Sequence, residues 1–148
     1  MRLKLNGQNV RISELSVVYK PLNVDVVINC IEDAALFLKN IWYPGLMNVQ
    51  QLYYVIYLDE DLKVICWHLL NTGSATSNIC DKRTIAVTAL NVRARSVIIA
   101  HNNPAGKTKA SAKEMKCFKE IITMLEILNV HFMDYLIITD KSYRALEM

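Results

Sequence analysis

The chain has 148 residues, 53% hydrophobic and 21% charged, with a formal net charge of +3. That is the size and composition of one globular domain with a sizeable core, and the low Gly and Pro content (4 and 3 residues) argues against a disordered or fibrous protein. No apolar run approaches the length of a membrane span, and the N-terminus lacks the apolar stretch of a signal peptide, so a soluble, cytoplasmic protein is expected.

Residues 2–5 and 8–12 alternate around Asn6-Gly7, which predicts a hairpin. A further strand is expected over 14–19, ended by Pro21. Residues 31–42 place Ile31, Ala34, Ala35, Leu38, Ile41 and Trp42 at helical spacing, and Tyr43-Pro44-Gly45 stops the helix. Two strands, 52–58 and 62–70, flank the polar turn Asp59-Glu60-Asp61 and predict a second hairpin. A polar loop with Gly73 spans 71–78. A helix over 82–92 follows, with Ile85, Ala89 and Val92 on one face and Asp81 as its N-cap. Residues 96–100 read as a short buried strand and 101–110 as a loop. A helix from Ser111 to about Leu128 then presents Met115, Phe118, Ile122 and Leu125 on one face. Strands at 132–138 and 143–146 close the chain. The order predicts a single domain of the α/β or α+β kind, a mixed sheet flanked by helices.

Cys30, Cys66, Cys80 and Cys117 are scattered without a Cys-x-x-Cys pair and lie in or beside apolar segments, so reduced and mostly buried thiols are expected rather than a zinc cluster. Lys82, Arg83, Arg93, Arg95, Lys107, Lys109, Lys113, Lys116 and Lys119 crowd one third of the chain. With no base-stacking aromatics among them, a solvated face is favoured over a phosphate-binding surface.

The chemistry concentrates in residues 101–114, His-Asn-Asn-Pro-Ala-Gly-Lys-Thr-Lys-Ala-Ser-Ala-Lys-Glu. An apolar strand delivers His101 to a Pro/Gly loop, and Ser111 and Glu114 open the next helix. Ser-x-x-Glu before an apolar helix is also a capping box, in which Ser111 and Glu114 satisfy each other's backbone amides. That structural role for Glu114 is set ahead of metal ligation. Likewise, Asn103-Pro104 is an ordinary turn pair.

The spacing resembles the JAMM metal motif of JAB/MPN domains in the version carried by RadC-like proteins: His-x-His, seven residues, Ser, two residues, Asp. The likeness extends from about residue 50 to the end, with residues 1–48 a divergent N-terminal part and 49–148 the motif-bearing core. Tyr57-Leu58-Asp59, Gly73-Ser74, Arg83 with Ile85, Ala89 and Leu90, His101 to Gly106, and Asp134 with Ile137 and Ile138 all match in order. The resemblance implies a JAB/MPN-like domain and a zinc-dependent peptidase or isopeptidase ancestry. Two histidines and a carboxylate would hold the metal, a glutamate would serve as general base and a serine would stabilise the oxyanion.

Carried onto this chain, His101 matches the first ligand, Asn103 the second, Glu114 the third, Ser111 the serine and Gln51 the base. Three of these five are changed. A carboxamide is a poor zinc ligand and glutamine takes no proton near neutral pH. His68 and His131 match no ligand position and are read as structural or exposed. Impaired or lost hydrolysis is therefore expected, with zinc the family's metal and either zinc or no metal held here. The alternatives are a hydrolase with altered ligands, or a nucleic-acid accessory protein, since the resemblance implies an association with DNA repair and mobile elements. A peptide or protein partner, and DNA, are the partners considered; a membrane is not.

Overall fold

The computed structural model describes residues 2–5, 8–11, 25–71 and 81–146. The expected strand over 14–19 and the loop after Asn71 lie outside the described residues. The elements are β1 (Arg2–Leu5), β2 (Gln8–Arg11), α1 (Ile31–Ile41), β3 (Tyr53–Leu58), β4 (Val64–Asn71), α2 (Lys82–Asn91), β5 (Ser96–Asn102), α3 (Ala112–Ile127), β6 (His131–Ile138) and β7 (Tyr143–Ala145). β1 and β2 pair antiparallel as the alternation predicts, with Leu3 opposite Val10.

The remaining strands form one mixed sheet in the order β4-β3-β5-β6-β7. β3 runs antiparallel to both β4 and β5, whereas β5 and β6 are parallel. A parallel pair needs a long crossover, and α3 supplies it. Both sheet faces are covered. Val55, Tyr57, Ile99, Tyr135 and Ile137 pack with Ile85 and Ala89 of α2 and Phe118, Ile121 and Leu125 of α3. Tyr54, Ile56, Ile98, Leu136 and Ile138 pack with Ala34, Ala35 and Leu38 of α1 on the other face. Burial on both sides explains why β3 and β5 are apolar without alternation. The observed architecture is a single α+β domain, as expected.

Asp81 caps α2 by accepting from the amides of Arg83 and Thr84 at 3.0 and 3.4 Å. The Thr84 hydroxyl and amide hold its carboxyl below the ordinary range. α1 stops where Trp42 turns extended and Gly45 takes φ +78°, a left-handed turn that glycine enters without strain. Among the described residues no helix is long and apolar enough to cross a membrane.

Four readings of the sequence are corrected. β4 begins at Val64, because Leu62 takes φ 60° in the turn. The buried seam of α3 uses Ile121, while Ile122 is half-buried; with Phe118 and Leu125 the seam steps by three and then four residues, which keeps it over the sheet. Cys30 is exposed at the N-cap of α1 rather than buried, and Cys66 and Cys117 are half-buried free thiols. Burial pushes the Cys66 thiol up to about 11. Most consequentially, β5 runs on through His101 and Asn102, which pair with Ile137 and Ile138 of β6. These two residues therefore belong to the sheet and not to the loop.

Phe118 is fully buried with its ring 3.7 Å from that of Tyr135. Phe118→Ala is expected to cost about 3–5 kcal/mol of stability, read from urea unfolding midpoints at unchanged slope.

Candidate functional site

Consecutive strand residues point to opposite faces, so the extension of β5 sends His101 and Asn102 in opposite directions. Asn102, fully buried, fastens the segment before β3. Its Oδ1 accepts from the Leu52 amide at 2.7 Å, and its Nδ2 donates to the carbonyls of Met47 and Gln50 at 2.6 and 2.7 Å. The backbone amide of Asn102 adds a bond to the Leu52 carbonyl. Gln51 lies between the two residues so held.

His101 turns toward α3 and is 1% exposed. Its Nδ1 lies 2.5 Å from the Tyr135 hydroxyl, its Nε2 lies 3.3 Å from Glu114 Oε1, and its ring stacks on Tyr53 at 5.1 Å. One proton arrangement satisfies both ring nitrogens: Tyr135 donates to Nδ1, and Nε2–H donates to the Glu114 carboxylate. This tautomer is assigned from the hydrogen-bond partners. Burial drives the imidazole down to about 4, against the upward pull of Glu114, so the ring is neutral near physiological pH.

Glu114 is the meeting point. Oε2 accepts from the Ser111 amide at 2.7 Å and the Ser111 hydroxyl at 2.8 Å, and the Glu114 amide donates back to Ser111 Oγ at 3.2 Å. The capping box is complete. Oε1 faces the other way, toward His101, the Tyr53 hydroxyl at 3.3 Å and Gln51 Nε2 at 3.4 Å. The cap that the sequence set ahead of metal ligation is present, and the second oxygen is left to face His101, because a carboxylate has two oxygens. Burial works to raise this carboxyl, but the Ser111 amide and hydroxyl, His101 and Tyr53 outweigh it and hold it below its ordinary value.

Asn103 is engaged elsewhere. Its Oδ1 accepts from the Ala105 amide at 2.9 Å and its carbonyl accepts from Gly106, which sits at φ +74°. The asparagine builds the turn after β5. The structure thus brings Gln51, His101, Ser111 and Glu114 together and gives the Asn103 side chain to its own loop. Sequence reasoning missed Tyr53, Tyr135 and Asn102. Strand parity was the available signal for one of them, since Tyr53 shares a face with Gln51. Tyr135 faces His101 only through the β5–β6 register, which the sequence does not reveal. Of the other histidines, His68 stacks on Tyr57 at 5.5 Å, and His131 is exposed at the opposite end of the strands. Asp59 accepts from the amides of Asp61 and Lys63, each at 2.9 Å, which makes it a turn residue.

A five-stranded mixed sheet between one helix and two, with a His/Ser/Glu cluster at the C-terminal end of its parallel strand pair, is an α+β arrangement of the JAB kind. A family model described as the RadC-like JAB domain matches residues 28–148, and the chain belongs to that family. It is 34% identical over 91 residues to a UPF0758 protein of Flavobacterium johnsoniae, covering 62% of this chain and 40% of that protein. It is 29% identical over 88 residues to the UPF0758 protein YkfG of Escherichia coli, covering 60% and 56%. A UPF0758 protein of a Cyanothece strain is 27% identical over 99 residues, covering 67% and 41%. The chain thus matches about half or less of the length of these relatives.

The depressed His101 value sets a pH dependence. Unfolded histidine binds a proton near 6.5, whereas the folded site refuses it until about 4. The unfolded state therefore holds more protons in that window, and stability is full above 6.5 and falls as pH drops toward 4. His68, also lowered by burial, acts in the same sense. Glu114 adds its loss only below its ordinary 4.5. Urea midpoints are expected to decline through the histidine window, with a slope of up to about 1.4 kcal/mol per pH unit per histidine, and His101→Gln is expected to flatten the decline.

Proposed function

We propose that this chain is a RadC-like JAB domain that has lost metal-dependent hydrolysis and keeps the old site as a closed polar cluster. The observation that carries the reading is the state of Glu114, whose two oxygens already accept from five donors: two on Ser111 and one each on Gln51, Tyr53 and His101. A zinc site of the family's kind needs three protein ligands offering lone pairs and one position open to water. The groups here offer one imidazole, one carboxylate and hydrogens. The second-ligand position holds a carboxamide engaged with Ala105. Such a donor set does not fit zinc.

The test is the zinc content of protein purified without a histidine tag, with His101→Ala as control. Substoichiometric zinc in both is expected. One zinc per chain, lost in the variant, would overturn the reading and point to an altered-ligand hydrolase. Asn103→His, which restores the second imidazole, is expected to raise zinc affinity about tenfold or more, or about 1.4 kcal/mol.

One observation favours a second reading, contact with a nucleic-acid backbone. Lys107, Lys109, Lys113, Lys116 and Lys119 are all exposed. The acidic residues of that stretch are both engaged, Glu114 in the site and Glu120 with Lys82. Binding to duplex DNA is then expected to weaken with salt, with a log–log slope of roughly −3 for three to four neutralised phosphates, and Lys113→Glu/Lys116→Glu should shallow it. Absent or salt-insensitive binding removes this reading.

A further inference from the structure

We propose that Gln51 takes the place of a cation in this pocket: its amide donates to a largely buried carboxylate, Glu114, where a second carboxylate would repel it. The inference rests on the loss of metal argued above and assigns the consequence to one residue. The Gln51 side chain approaches Glu114 Oε1 at 3.4 Å. A carboxylate of the same shape in its place would set two like charges at hydrogen-bond distance in a poorly hydrated site. Such a pair stays ionised only with a cation between its members. Glutamine matches glutamate in shape, removes one charge and supplies a donor. Gln51 is fixed for this task, because Asn102 clamps both residues flanking it, at Gln50 O and Leu52 N. The Tyr53 hydroxyl approaches the same oxygen at 3.3 Å and the His101 Nε2–H does so at 3.3 Å, so uncharged donors surround it. Gln51 is thus a positioning residue for Glu114.

A double-mutant cycle on the whole chain, melted in EDTA near neutral pH, tests the assignment. Q51E is expected to lower Tm by roughly 4–8 °C, and Q51M, which loses the donor without adding charge, by less. E114Q should itself lower Tm, because its one amide oxygen can complete the capping box only by turning an NH2 toward the donors that meet Oε1. In the double variant Q51E/E114Q the carboxylate and amide exchange places, and most of the Q51E loss should return. Without EDTA, millimolar Mn2+ should raise the Tm of Q51E and leave the wild type unchanged. If Q51E is too unstable to purify, soluble recovery of the double variant replaces the melt and supports the proposal, and failure of both overturns it. A Q51E protein that melts like the wild type, or losses that simply add, would also overturn it. Stoichiometric zinc in the wild type sinks the parent reading; an uncoupled cycle sinks this one and leaves the zinc result standing.

Discussion

A carboxylate removed from water must be surrounded by charge or by donors, and in this domain Glu114 is surrounded by donors. Every other feature of the site can be derived from that constraint. The cap geometry delivers the Ser111 amide and hydroxyl to Oε2. The strand arrangement delivers His101, Tyr53 and Gln51 to Oε1. Two independent parts of the fold, a helix start and the ends of two inner strands, therefore converge on one side chain. Neither part contributes a formal positive charge, because burial keeps His101 neutral.

The sheet makes this convergence possible by placing three strands in fixed register. His101 lies opposite Tyr53 on β3 and Ile137 on β6. One residue further along, Asn102 points to the opposite face and holds the chain that carries Gln51. Alternation thus gives adjacent residues complementary tasks, one as a member of the cluster and one as the anchor of another member. The anchor has the higher structural cost if lost. Replacing it would strand the buried Leu52 amide, at about 1–3 kcal/mol, and would remove a donor from the half-buried Met47 and Gln50 carbonyls.

Much of this was legible in the sequence wherever the pattern was local. The periodicity of 31–42, the Asp81 cap and the Ser111–Glu114 box all depend on residues within a few positions of one another, and all appear as read. In-order matches along the chain were enough to name the family. What was not legible depended on register. The continuation of β5 through His101 and Asn102 is dictated by pairing with β6, roughly thirty-five residues away, so a histidine beside a Pro/Gly loop read as loop. Tyr135 was hidden for the same reason. The cap favoured for Glu114 is present, but a one-letter motif does not show that the two oxygens of its carboxylate face opposite ways.

Retained spacing is commonly taken as a sign of retained chemistry, but here local structure accounts for the spacing by itself. Between His101 and Glu114 the chain must turn out of a strand and start a helix. Asn103 and Gly106 make the turn, and Ser111 with Glu114 starts the helix. Each of these tasks fixes a position in the motif without reference to a metal. A glutamate at the third position serves the cap directly, since Ser-x-x-Glu is the pattern that pairs both amides. Its longer side chain still carries Oε1 to His101, 3.3 Å away. The substitutions at 51, 103 and 114 then form one consistent set. The first supplies a donor where a second carboxylate would repel, the second completes a turn and the third completes a cap. Among the described residues every polar side-chain atom of His101 and Glu114 has a partner, which is what a buried polar network needs in order to be stable.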